Sequence, residues 1–370
     1  MNRIRVLEIS KYYHPYNGGT ESHLFTLVQE LKKRVNIRVL ASNTRFKTSV
    51  EKYDGVDIFR LASLGSFFSV PLALNMPFWL KKINAEILHF HLPNPLSVIS
   101  YFLSRPKGKI VVSYHSDIVK QRFFTFWFNP FLIKFLKKAE AIIVTSDNLI
   151  KNSLILKRFR YKCQVIPHGI DIDRFRPDRD VLEEAEEIKK RYGSPLILFV
   201  GRLVYYKGVE YLLKAMSQIK ARLLIVGDGP LKNRLKRLAL RLGVSDKVIW
   251  IGQITDREIV AYYYACDVFV LPSSVRAESF GIVQLEAFAC RKPVVSTDLP
   301  TGVPFVNQDG KTGLIVPPGD YLTLVVAINK LLASPQLCNI YGQNGKERVE
   351  KEFRKEQMAD KVFKVYKEIV

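Results

Sequence analysis

Three stretches decide the fold: Asp267-Val268-Phe269-Val270-Leu271-Pro272, then Ala277-Glu278-Ser279-Phe280-Gly281-Ile282-Val283-Gln284-Leu285-Glu286-Ala287, then Pro293-Val294-Val295-Ser296-Thr297. The first and last are short aliphatic and β-branched runs, the pattern of strands buried on both faces of a parallel sheet. Residues 281–290 between them read as a helix, long enough for a crossover. Glu278 then lies on the loop at the first strand's carboxyl end, and Glu286 about a turn and a half into the helix. In open α/β sheets ligands bind at that edge, and the free N–H groups of a helix start suit an anion there. One acid ahead of the helix and one inside it can hold two hydroxyl-bearing parts of a single phosphorylated ligand, which fits a nucleotide sugar.

The same alternation extends outward in both directions. Strands are expected at 4–9, 37–41, 58–61, 87–90, 110–114 and 141–145, and again at 196–200, 222–226, 248–251, 268–271, 293–296 and 313–316. Crossovers between them argue two doubly wound parallel domains. The break falls in Val165-Ile166-Pro167-His168-Gly169-Ile170-Asp171-Ile172-Asp173-Arg174-Phe175-Arg176-Pro177, ahead of an acidic helix over 182–190. Residues 345–370 read as charged helix with Val349, Phe353, Met358, Val362, Phe363, Val365 and Tyr366 on an apolar face. A chain of 370 residues suits two domains.

Composition is globular, with 48% hydrophobic and 25% charged residues. No apolar run is long enough to span a membrane, and the start, carrying Glu8, reads as a strand and not as a signal peptide. Cys163, Cys266, Cys290 and Cys338 are scattered, so neither a disulfide framework nor a zinc site is expected and a reduced cytosolic location is the default. Net charge is +22, and residues 1–170 hold 26 Lys+Arg against 10 Asp+Glu. That basic half admits nucleic acid, anionic lipid or a phosphorylated substrate as partner.

Strand 196–200 runs into Gly201-Arg202-Leu203-Val204-Tyr205-Tyr206-Lys207-Gly208 ahead of a helix. Arg202 can fork onto diphosphate oxygens while Lys207 supplies a mobile point charge; two solvated surface cations is the plainer alternative. Gly227-Asp228-Gly229-Pro230 and Trp250-Ile251-Gly252-Gln253-Ile254 are either ordinary βα turns or backbone offered to a ligand. Gly18-Gly19 heads a helix and lets a ligand approach the backbone closely. His115, after strand 110–114, is either structural or faces an interdomain cleft. Asp171 and Asp173 resemble a metal clamp but sit in the linker. His89 and His91 share a strand face with no third ligand nearby, so a strand-end role lining the cleft is favoured over metal. The aromatic and basic stretch 123–138 is either a core helix capped by lysines or a helix at a membrane interface, with Lys134, Lys137 and Lys138 on lipid phosphates. The basic half favours the membrane.

Taken in order, Gly18-Gly19, His115, Gly201-Arg202-Leu203 with Lys207-Gly208, Gly227 with Gly229-Pro230, and Glu278 with Glu286 resemble glycosyltransferase family 4, retaining nucleotide-sugar enzymes with the GT-B fold. The resemblance covers essentially the whole chain. The tail Ser296-Thr297-Asp298-Leu299-Pro300 through Gly319-Asp320 is similar to the mannosyl- and rhamnosyltransferase branch that builds O-antigen. The family has two Rossmann-like domains facing across a cleft, here 1–168 and 169–352, with a C-terminal helix, 353–370, crossing back to the first. It implies that Arg202 and Lys207 hold the donor diphosphate, that Glu286 binds ribose and Glu278 the sugar hydroxyls, and that the amides of Phe280, Gly281 and Ile282 meet phosphate and sugar. Ile254 would lie beside the base, the backbone of Gly18 and Gly19 by the donor phosphate, and His115 over the anomeric centre. Pro167-His168-Gly169 and Cys290-Arg291-Lys292-Pro293 depart slightly from the family's Pro-Asn-Gly and Cys-Gly-Lys-Pro.

The expectation is therefore a metal-independent hexosyltransferase without a cofactor. It would take mannose or rhamnose from a GDP-sugar to a lipid-linked or polysaccharide acceptor, working at an anionic membrane surface on the inner face of the plasma membrane. A nucleotide-sugar epimerase of the same architecture is the nearer alternative. A nucleic-acid-binding protein is the more distant one, lacking any matching motif.

Overall fold

The computed structural model describes residues 3–16, 18–67, 70–118 and 122–370. They form two units, Met1–Gly169 with Lys355–Val370, and Ile170–Arg354. The first unit carries β1 (Arg5–Ser10), β2 (Asn36–Ser42), β3 (Ser49–Tyr53), β4 (Val56–Leu61), β5 (Ser66–Phe67), β6 (Val70–Pro71), β7 (Ile87–Leu92), β8 (Lys109–Tyr114), β9 (Ala141–Val144) and β10 (Cys163–Val165). Eight of these make one sheet in the order β10-β9-β8-β7-β1-β2-β4-β3, while β5 and β6 pair separately. The eight-stranded sheet is parallel except where β3 folds back on β4.

The second unit's sheet contains β11 (Leu196–Val200), β12 (Arg222–Val226), β13 (Val248–Gly252), β14 (Val268–Leu271), β15 (Val294–Thr297) and β16 (Gly313–Val316). Their order is β13-β12-β11-β14-β15-β16, parallel throughout. Side chains alternate between two cores: Leu196, Leu198 and Val200 enter one, Ile197 and Phe199 the other. That is why the strand reads as an unbroken apolar run. The order reverses between β11 and β14 here, and between β7 and β1 in the first unit, creating a switch point in each.

Every strand expected from the sequence forms. The helix after β14 begins later than expected, at Val283, and runs to Ala289. Gly281 is the reason: its φ of +72° lies outside the helical region, and a Cβ there would collide with the Leu271 side chain. Glu286 therefore sits in the first turn. The expected single C-terminal helix is two, Pro335–Glu352 and Lys355–Ile369. Phe353 breaks it, with its ring buried against Phe280 and Phe305 of the second unit. The supposed single apolar face divides accordingly. Val349 and Phe353 serve the second unit, while Met358, Val362, Val365 and Tyr366 join Leu24, Leu27 and Val28 in the first.

Candidate active site

The carboxyl ends of β11 and β14 lie side by side, and the two loops that follow them are tied together. Gly208 is left-handed (φ +65°), and any Cβ on it would strike the Pro272 carbonyl oxygen, so the loops approach as closely as backbone allows. The Ser274 amide donates to the Tyr206 carbonyl at 2.9 Å. Across this seam Lys207 Nζ meets Glu278 Oε2 at 2.7 Å, and the Ser273 hydroxyl donates to the same oxygen at 3.0 Å. Burial works against the Lys207 charge, but Glu278, with Tyr206 and Glu286, outweighs it and holds the ammonium above its ordinary value. With one N–H on Glu278, two remain for other acceptors. Arg202, five positions earlier, is exposed and pairs with no carboxylate among the described residues. Gly201 joins it to the end of β11.

Glu286 is held from the other side. The Tyr263 hydroxyl donates to its Oε2 at 2.7 Å and Arg174 lies 3.9 Å from its Oε1. Burial raises its carboxyl, and Arg174 and Tyr263 only partly offset this. Arg174 also reaches Asp256 at 3.0 Å, two residues from the half-buried Ile254 in the loop that follows β13. The Phe280 side chain is core, leaving only its backbone for a ligand. The amides of Gly281 and Ile282 donate to nothing else among the described residues. Arg202, Lys207, Glu278 and Glu286 thus gather at one switch point, cations suited to a diphosphate and carboxylates suited to hydroxyl groups.

In the first unit, Gly18 precedes the helix Gly19–Leu31. A Cβ on Gly18 would run into the end of the Glu21 side chain, whereas one on Gly19 would meet open space. His115 follows β8, its amide donating to the Leu92 carbonyl at 2.9 Å. Its Nε2 lies 3.0 Å from His91 Nδ1. His89 and His91 do not line a surface, because both are sealed in the unit's interior. His91 Nε2 meets Glu8 Oε2 at 2.8 Å, while His89 Nδ1 meets the Tyr366 hydroxyl at 2.6 Å and its Nε2 the Ser113 hydroxyl at 2.8 Å.

Known proteins match this arrangement over its length. Residues 17–174 match Glycosyltransferase Family 4 and residues 180–348 match Glycosyl transferases group 1. O-antigen chain mannosyltransferase C of Escherichia coli is 31% identical, covering 98% of both chains. The chain belongs to glycosyltransferase family 4. D-rhamnosyltransferase WbpZ of Pseudomonas aeruginosa is also 31% identical, over 93% of this glycosyltransferase and 91% of its own length. Among solved structures, sucrose-phosphate synthase of Thermosynechococcus elongatus superposes with a TM-score of 0.84 at 25% identity, covering 99% of each chain. The glycosyltransferase has the two-domain GT-B fold.

Several residues of these sites escape a reading of the sequence. Ser273, Tyr263 and Arg174 carry no motif, and only the adjacency of β11 and β14 and the packing of the 258–265 helix bring them in. Glu8 did leave a signal, as a charge inside an apolar strand, and register pairs it with His89. It supplies the third ligand-type group that His89 and His91 lack in sequence. Among the described residues, Glu8, His89 and His91 form one triad with ligand atoms within 4.8 Å of one another, and His23, His115 and His168 a second. In the first triad every ring nitrogen already faces a carboxylate, hydroxyl or imidazole. In the second, the His23 and His168 rings stack at 3.8 Å and 19°, which sets their in-plane lone pairs side by side instead of toward a common point.

The helix Arg122–Lys138 is both core and surface. The side chains of Phe123, Phe124 and Phe126 lie outside the described residues. Phe128, Leu132, Phe135 and Leu136 are buried, whereas Trp127, Phe131, Lys134, Lys137 and Lys138 are exposed. No single helix among the described residues is long and apolar enough to cross a membrane.

Proposed function

We propose that the enzyme transfers mannose or rhamnose from a GDP-sugar, with retention and without a metal, to a lipid-linked or polysaccharide acceptor of surface-glycan synthesis. The ion pair of Lys207 with Glu278 beside Arg202 at the switch point carries the reading. Breaking the sugar–phosphate bond leaves its electron pair on the diphosphate, and Arg202 and Lys207 supply fixed positive potential where that charge develops. The acceptor oxygen bonds to the same face of the anomeric carbon, and its proton passes to the departing phosphate oxygen. Glu278 takes the donor sugar's hydroxyls and Glu286 the ribose, with the Gly281 and Ile282 amides on the phosphates and Ile254 by the base. His115, Gly18 and Gly19 are assigned to the donor by family resemblance. The mannosyl and rhamnosyl relatives support the sugar class.

A thermal-shift panel of GDP, UDP and ADP tests the donor. At about 100 times its dissociation constant a ligand adds roughly 2.7 kcal/mol, a rise of about 5–10 °C for a domain of this size. GDP is expected to give the largest shift, and a larger shift with UDP or ADP overturns the base assignment. Following GDP-mannose by NMR separates transfer from epimerisation, since conversion of the sugar nucleotide without any acceptor would overturn the transferase reading.

We infer that the enzyme works at the anionic inner face of the plasma membrane, a reading supported by the basic first unit. Exposed Phe78, Ile99, Leu103, Trp127 and Phe131 stand on three neighbouring helices, with Lys81, Lys82, Lys134, Lys137 and Lys138 exposed on the same elements. Apolar tips among lysines suit shallow insertion between anionic headgroups. In flotation with phosphatidylglycerol-containing vesicles, the Trp127→Ser, Phe131→Ser double variant is expected to lose about tenfold or more of the binding. Undiminished flotation would remove this surface from the membrane.

A further inference from the structure

Glu286, the residue assigned to the ribose, has two oxygens, and its last torsion alone would let either face a ligand. One is already taken. The Tyr263 hydroxyl donates to Oε2 at 2.7 Å, while Oε1 makes no hydrogen bond among the described residues. We propose that Tyr263 is a positioning residue for the donor: by occupying Oε2 it fixes Oε1 toward the vicinal ribose hydroxyls and makes the enzyme reject deoxyribonucleotides. This rests on the placement of Glu286 at the ribose, and every side chain it uses belongs to the second unit.

Ring packing holds the phenol in place. Tyr263 lies in the helix Glu258–Ala265, its ring 5.7 Å from that of Phe269 and 6.1 Å from that of Phe175. The other acceptor in reach, the Val283 carbonyl, is 3.5 Å away, so the carboxylate takes the hydroxyl's one proton. Burial and the neighbouring Glu286 charge raise this hydroxyl well above its ordinary value, so it stays a donor. Tyr263 is wholly buried, whereas 17% of the Glu286 side chain is open, so a ligand reaches the carboxylate and not the phenol.

Arg174 does not compete for Oε1. It stands 3.9 Å away, beyond hydrogen-bond reach, with its guanidinium 4.6 Å over the Phe175 ring and 3.0 Å from Asp256. Its charge favours the ionised carboxylate, which only accepts. Two neighbouring hydroxyls on one edge of a sugar can donate to such an oxygen in charge-assisted bonds. A nucleotide lacking them covers Oε1 and leaves it without a partner, the loss by which a site built for a hydroxyl rejects its absence. Were Oε2 also free, the carboxyl could turn the unmet oxygen back to water and the discrimination would fade.

Calorimetric titration with GDP and 2′,3′-dideoxy-GDP, or with the UDP pair should UDP give the larger thermal shift, reads the preference. The unaltered enzyme is expected to bind GDP about 10- to 100-fold more tightly. Tyr263→Phe keeps the ring and removes the hydroxyl. The ratio should then fall below about threefold, with donor KM rising about tenfold and kcat falling less than about threefold. A ratio kept while both nucleotides weaken alike would make Tyr263 packing only and overturn the proposal. In a Glu286→Leu background the same change should move GDP affinity less than about twofold; an undiminished effect there would mean that Tyr263 does not act through Glu286. Should Tyr263→Phe alone not fold, the Tyr263 hydroxyl proton of the unaltered enzyme, assigned by its absence in the double variant, is expected to persist in proton NMR with GDP bound. Its loss on binding overturns the proposal. A ratio near one in the unaltered enzyme would instead remove Glu286 from the ribose, a failure of the underlying reading and not of the Tyr263 hydrogen bond.

Discussion

Lys207→Ala is expected to lower kcat by roughly 100- to 1,000-fold, the usual cost of losing one preorganised group that stabilises charge in the transition state. It should also destabilise the second unit by about 3 kcal/mol, because Glu278 would keep only the Ser273 hydroxyl as a partner in a nearly buried position. Arg202→Ala separates the two effects. Arg202 is exposed and free of ion pairs among the described residues, so its loss should cut kcat comparably while leaving the melting temperature within about a degree. Single-turnover rates with saturating donor, set beside thermal melts, check both. Near-normal turnover in either variant would remove that residue from the reaction.

Lowering the pH from 6.5 to 5.5 is expected to cost the first unit about 3 kcal/mol of stability. His23, His115 and His168 are held well below their ordinary value, chiefly by burial and then by one another or His91. In the unfolded chain each titrates near 6.5. Above that value neither state binds the proton and nothing is lost. Below it the unfolded chain takes up protons that the folded unit refuses, so stability falls with pH by about 1 kcal/mol per histidine over that unit. Glu8 has the same sign but a lower window: its depressed carboxyl contributes in full above about 4.5 and fades only below it. Amide exchange in the Gly19–Leu31 and Lys355–Ile369 helices between pH 7.5 and 5.5 reads the effect locally. Unchanged protection would mean that the cluster accepts protons where it lies.

The strands of both sheets were legible because parallel strands covered on two faces must be apolar along their whole length. β3 was not, since its five residues, Ser49 to Tyr53, are mostly exposed on an edge. β10 is only three residues long. The helix start was misplaced because apolar periodicity runs smoothly through Gly281, whereas its positive φ depends on the close approach of Leu271. Arg202, Lys207, Glu278 and Glu286 stood out by type and position, but the Lys207–Glu278 pair did not. Only the strand order puts residues so far apart in sequence on adjoining loops. The histidine network was hidden for the same reason. Its members come from β1, β7, the end of β8 and the last helix, and spacing along the chain does not bring them together.

The chain leaves the first unit at Gly169 and re-enters it at Lys355, with 185 residues of the second unit made in between. At a ribosomal pace of 5–20 residues per second the interval is roughly 10–40 s. Throughout it Glu8 lacks the Tyr366 hydroxyl, and the apolar flank formed by Leu24, Leu27 and Val28 lacks Met358 and Val362. The contiguous second unit can close as soon as it emerges. The half of the enzyme synthesised first is therefore the half completed last, and it is the half whose exposed core most needs shelter while the nascent chain grows.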